Sequence, residues 1–220
     1  MKSIANRAAF LALLTAVLVF VAASPLKADT IFTNFGSPGQ TYESSAYLLS
    51  PGFSLASPFV ASETATLTDA MLALSQFIGP VSPPTVYVES DSGGEPGTII
   101  DTLTTAGTLG STPAILTYTC AICSQLVGGT EYFLVAGATG AVGWNGSNSD
   151  TGTYFSSFTS PTGPWVAVTP TDTTLPAYEV DGTPASAPEP SALSMLAFGL
   201  FGLAGLIKQN AKISRHSNVG

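Results

Sequence analysis

Val86-Tyr87-Val88-Glu89-Ser90-Asp91-Ser92-Gly93-Gly94-Glu95-Pro96-Gly97-Thr98-Ile99-Ile100 decides the fold class. Apolar and polar residues alternate up to Glu89, as in a strand with one buried face. The pattern breaks into a polar, Gly-rich segment and resumes beyond Pro96-Gly97, which is what two strands joined by a turn require. Gly93 and Gly94 can take a positive φ that strains other residues, and Pro96 presets its own φ for re-entry into the sheet.

Outward from this hairpin the chain keeps the same character. Thr, Ser, Gly, Pro, Val and aromatics dominate, long helix-favouring side chains are scarce, and turn signals recur about every ten residues. Candidate strands are residues 31–35, 53–60, 65–74, 85–90, 98–103, 115–118, 131–136, 152–158, 165–169 and 177–180. Residues 64–76 carry Ala70, Met71, Leu72 and Leu74 and could be read as a helix, but the β-branched Thr64, Thr66 and Thr68 favour a strand. The expectation is an all-β, antiparallel β-sandwich, jelly-roll-like, over residues 29–184. Such a domain is large enough to bury a core unaided.

Charge is distributed unevenly. All six Lys and Arg residues (Lys2, Arg7, Lys27, Lys208, Lys212, Arg215) lie outside residues 29–190, and all fourteen Asp and Glu residues lie inside, giving the net charge of −8. A domain without a cation neutralises no phosphate, which excludes nucleic acid as a partner.

The flanking segments read as addresses. Lys2 and Arg7 precede an apolar run, residues 8–23, closed by small residues and Pro25, the pattern of a signal peptide over residues 1–28. Cleavage is expected after Ala28, or after Ala23. At the other side, Pro188-Glu189-Pro190 stands before an apolar run, Ser191 to Ile207, followed by Lys208, Lys212 and Arg215. The run is at the short end for a transmembrane helix, which takes roughly twenty residues, and the basic residues predict a cytoplasmic tail. Gly199, Gly202 and Gly205 leave one side of this helix smooth, as ordinary transmembrane composition or as a docking face.

Residues 185–220 resemble the PEP-CTERM sorting signal of Gram-negative and cyanobacterial surface proteins. The resemblance implies recognition by an exosortase, cleavage near Pro188-Glu189-Pro190, and transient anchoring in the inner membrane before release to the cell surface or an extracellular matrix. Its basic residues are more dispersed than the family's compact cluster. The Ser90–Thr98 hairpin, the Gly129-Thr130-Glu131-Tyr132-Phe133-Leu134-Val135 segment and the Val142-Gly143-Trp144-Asn145 step resemble the choice-of-anchor R domain. That resemblance implies a bacterial surface domain of unassigned molecular activity. The link to an exopolysaccharide matrix comes from the sorting-signal resemblance, and the expected role is structural or adhesive, in the envelope or that matrix.

Candidate sites are few. Cys120-Ala121-Ile122-Cys123 is the only cysteine pair, and after export it is expected to form a disulfide. Zinc would need two further ligands, which this segment lacks. Glu89, Asp91 and Glu95 offer oxygens to calcium, although a plain turn accounts for the same residues. Trp144, Asn145, Tyr154, Phe155 and Trp165 could stack on and hydrogen-bond sugar rings, or fill the core. Asn145-Gly146-Ser147 matches a glycosylation acceptor, an incidental match beside a bacterial sorting signal.

Without His, Lys or Arg between residues 29 and 190, nucleophilic triads and cationic phosphate clamps are unavailable. Paired carboxylates remain, Glu63 with Asp69 or Glu89 with Asp101, as in glycoside hydrolysis. Nothing in their spacing selects them, and solvated acids on strand edges and turns are the ordinary explanation. The expected reading is a non-enzymatic protein without cofactor, with a carbohydrate-binding module as the alternative and a glycosidase last.

Overall fold

A computed structural model describes residues 28–159, 161–169 and 174–185. The expected signal peptide, Pro188-Glu189-Pro190, the apolar run and Lys208, Lys212 and Arg215 lie outside the described residues. The chain divides into two compact units, Met1–Pro184 and Ala185–Gly220, and every strand named here lies in the first. In chain order the strands are β1 (Asp29–Thr33), β2 (Tyr42–Leu49), β3 (Ser54–Val60), β4 (Ala65–Gln76), β5 (Thr85–Asp91), β6 (Pro96–Leu103) and β7 (Ala114–Thr119). They continue as β8 (Gln125–Leu126), β9 (Glu131–Gly137), β10 (Val142–Thr151), β11 (Tyr154–Ser157), β12 (Val166–Val168), β13 (Thr174–Pro176) and β14 (Tyr178–Pro184).

Two antiparallel sheets pack as a sandwich. One, of six strands, runs β12-β11-β3-β9-β5-β6. The other, of eight, runs β1-β14-β4-β10-β13, with β2 added to β10 and with β7 and β8 added to β4. The quoted hairpin is β5 and β6, Val86 facing Leu103 and Asp91 facing Pro96. At its tip Asp91 Oδ1 accepts the Gly94 N–H at 2.7 Å, the Ser92 N–H donates to the Glu95 carbonyl, and Gly93 and Gly94 both have positive φ.

β4 shows why its sequence imitates a helix. Its inward residues are Ala65, Leu67, Ala70, Leu72 and Leu74, a series that breaks strict alternation once, between Leu67 and Ala70. Opposite β14, Asp69 pairs with Asp181 and Leu67 with Gly182, so Thr68 is the extra residue of a bulge. The bulge absorbs the phase error and keeps both halves of the strand facing the core.

Aromatic residues tie the two sheets. Tyr178 on β14 is fully buried, and its phenol donates across the sandwich to the Pro58 carbonyl of β3 at 2.7 Å. Burial pushes that phenol well above its ordinary pKa, so it stays a neutral donor. Trp144 on β10 meets Tyr178 edge-on at 5.8 Å and donates its indole N–H to the Ala177 carbonyl at 3.0 Å. Phe59 and Leu134 complete the same core from the six-stranded sheet. Each such side chain contributes roughly 1.5–3 kcal/mol by leaving water.

Candidate functional site

An open, aromatic-lined groove lies where β2 of one sheet approaches β11 and β12 of the other. Its volume is about 630 Å3, inside the roughly 300–1,000 Å3 range of small-ligand sites. The turn Ser50-Pro51-Gly52-Phe53 forms one wall. The Phe53 N–H donates to the Ser50 carbonyl at 2.8 Å, and Gly52 has φ +76°, as Pro-Gly at the centre of a tight turn dictates. That turn carries the chain from β2 into β3 and brings Tyr47, Phe53 and Leu55 to the groove.

The facing wall follows from alternation along β11. Phe155 points to the outer surface, meeting Phe133 edge-on at 5.4 Å, while Tyr154 and Ser156 line the groove. Two aromatic pairs result: Tyr47 with Tyr154 at 4.9 Å and Phe53 with Phe158 at 5.0 Å. Tyr47 donates its hydroxyl to the Thr174 carbonyl. Burial, followed by the neighbouring Tyr47, raises the Tyr154 pKa, so its hydroxyl remains neutral. Phe158 is 76% exposed at the rim and Leu48 is 48% exposed. No lining residue carries a charge.

Tyr154 is the sequence-level sugar-binding candidate that reaches this groove. The others do not. Trp144 and Asn145 are fully buried, because β10 lies between β2 and β4 and the amide of Asn145 donates to the Glu43 carbonyl at 3.0 Å. They are core residues, and the Asn145-Gly146-Ser147 acceptor is equally inaccessible. Trp165, half-buried, covers an apolar cluster of Ala56, Phe133, Val135 and Phe155 on the outer face of the six-stranded sheet.

The calcium candidates do not converge. Asp91 is engaged by its turn, Glu95 is exposed, and Glu89 is fully buried beside Phe133 in β5. Among the described residues no group of three or more potential ligands is placed to hold a metal ion. Both Glu89 carboxylate oxygens are without a hydrogen-bond partner, and burial raises its pKa to about 7.

The paired carboxylates are placed apart. Val88 pairs with Asp101, so Asp101 shares the inward face of Val88 while Glu89 takes the opposite face. Asp101 is instead tied to Ser124, accepting its N–H and its hydroxyl at 3.0 Å each. Glu63 is exposed in the turn before β4, and Asp69 faces Asp181 across the sheet. Cys120 and Cys123 form a disulfide between β7 and β8, with both residues packed against the core.

Tyr47, Phe53 and Phe158 were not singled out in the sequence. The signal that could have found them is the Pro51-Gly52 turn, which brings the residues on either side of it to one end of the sandwich. No family model matches the chain, and no curated protein matches it.

Proposed function

We propose that this is an exported surface or extracellular-matrix protein of a Gram-negative or cyanobacterial type cell, sorted by an exosortase and acting in a structural or adhesive role. The observation that carries the adhesive part is the groove, an uncharged aromatic recess whose walls are set by a tight turn and a core strand. Export is supported by the Cys120–Cys123 disulfide, which suits an oxidising compartment. Sorting is supported by Pro188-Glu189-Pro190 with the apolar run and the basic residues behind it. The jelly-roll-like winding, the two terminal helices, and transient anchoring before arrival at the surface or a biofilm matrix belong to the same proposal.

A paired-carboxylate glycosidase has no such support, since Glu89 and Asp101 take opposite faces of their sheet. The test is fractionation of the producing cell, with mass spectrometry of the mature termini. A surface or medium fraction holding a disulfide-bonded protein that ends near Pro190 is expected. A cytoplasmic protein with an intact carboxy-terminal segment and reduced cysteines would overturn the reading.

A further inference from the structure

The geometry points to an uncharged polysaccharide strand as the occupant of the groove between β2 and β11. This deepens the adhesive role and rests on it for the setting in which the ligand is met. Two aromatic pairs, Tyr47 with Tyr154 and Phe53 with Phe158, offer ring faces and edges on which the apolar face of a sugar can stack. Ser156 is only 7% exposed and places a hydroxyl-bearing side chain in the lining of the groove. Ser50 and Tyr154 add two further hydroxyl-bearing side chains to the same lining.

Those hydroxyls discriminate between ligand classes. A purely apolar occupant, such as an acyl chain, would strip them of water and return no hydrogen bond. A sugar supplies donors and acceptors on its edges while its faces meet the rings. Charge removes the anionic polysaccharides, because no lining residue is charged and residues 29–190 hold fourteen acids and no cation. The recess is an open groove, and such a shape admits an internal stretch of a chain as readily as its end.

The experiment uses the full chain in a polyoxyethylene detergent, which carries no sugar headgroup. It is electrophoresed through native gels containing hydroxyethyl cellulose, galactomannan or dextran, with alginate as the anionic polymer. Retardation by at least one neutral polymer and none by alginate is expected. Phe158→Ala, at a rim position 76% exposed, should leave the melting temperature unchanged and weaken retention about five- to tenfold. Ser156→Ala should weaken it as well, with circular dichroism confirming the fold.

Passage through all three neutral gels overturns the proposal. So does retention that neither variant alters, or equal retention by alginate. A fluorescent fatty acid bound by the parent and lost in Phe158→Ala, with no polysaccharide retained, would assign the groove to apolar chains instead. The two readings fail separately: an exported protein that passes every gel loses the ligand, and a cytoplasmic one that is retained loses the setting.

Discussion

Asp69 on β4 and Asp181 on β14 stand directly opposite each other, two carboxylates paired across a sheet that contains no cation. Asp181 Oδ1 is buried without a hydrogen-bond partner. Burial raises the Asp181 pKa first. A hydrogen bond from Thr30 works against the rise, and Glu179, Asp69 and Asp29 add to it. Like charges directly opposite on a sheet are destabilising, by roughly 0.2–1 kcal/mol. Asp69→Asn should therefore raise the melting temperature at neutral pH, and the gain should shrink in concentrated salt as screening takes over the same task. A lower melting temperature at every ionic strength would show that the Asp69 charge is needed.

The legibility of the chain depended on how far local pattern and tertiary contact agreed. In β5 and β6 they agree: alternation, the Asp91–Gly94 turn and the Pro96 re-entry all appear in the sequence and in the fold. In β10 they conflict. Val142–Thr151 is rich in Gly, Ser and Asn, which favour turns, and the spacing suggests a strand beginning only at 152. The strand forms because β2 and β4 flank it, and its glycines answer that crowding. A Cβ on Gly143 would lie 2.7 Å from Ser75 Oγ and 2.9 Å from Ala46 Cβ. Composition reports the local preference of such a segment and is silent on its neighbours. The groove was hidden for the same reason, since it joins residues 47–55 to residues 154–168 across two sheets.

Glu89 supplies a pH dependence. Its carboxyl is fully buried with no partner, and its pKa is raised from 4.5 to about 7. The titratable residues nearest along its own strand are Tyr87 and Asp91, and Glu131 lies two residues from its β9 partner Phe133. None of these is a cation. A raised folded-state pKa means that the native protein holds a proton the unfolded chain has released. Stability is complete below about pH 4.5 and falls as pH rises through about 7. The loss should be on the order of 3 kcal/mol. Thermal denaturation from pH 4.5 to 8 checks this, and Glu89→Gln should flatten the slope while stabilising the protein at pH 8. A Gln variant with the parent's slope would place the dependence elsewhere.

Trp144 and Tyr178 are expected to behave as core. Trp144→Ala removes a fully buried indole, its edge contact with Tyr178 and its bond to the Ala177 carbonyl. The cost should be about 3–5 kcal/mol. Tyr178→Phe keeps the ring and leaves the Pro58 carbonyl without its 2.7 Å donor, at about 1–3 kcal/mol. Urea denaturation measures both. A Trp144→Ala protein with parental stability would return that residue to a surface role.

The Thr68 bulge yields the sharpest test of how β4 is specified. Along the strand the inward residues are Ala65 and Leu67, then Ala70, Leu72 and Leu74, and the extra residue between the two sets is Thr68. Deleting Thr68 restores strict alternation from Ala65 to Leu74 with every one of those side chains still inward. Deleting Met71 leaves the bulge in place and turns Leu72 and Leu74 toward the outer face, because a one-residue slip exchanges the faces of a strand. Thr68 Oγ1 is itself buried without a partner, so its loss removes a desolvated hydroxyl. Circular dichroism and urea melts of the two deletions should separate them, the Thr68 deletion folded and the Met71 deletion unfolded or aggregated. If both unfold alike, the bulge carries a further structural duty, and the carbonyl of Thr68 beside Cys123 Sγ at 3.9 Å is the first place to seek it.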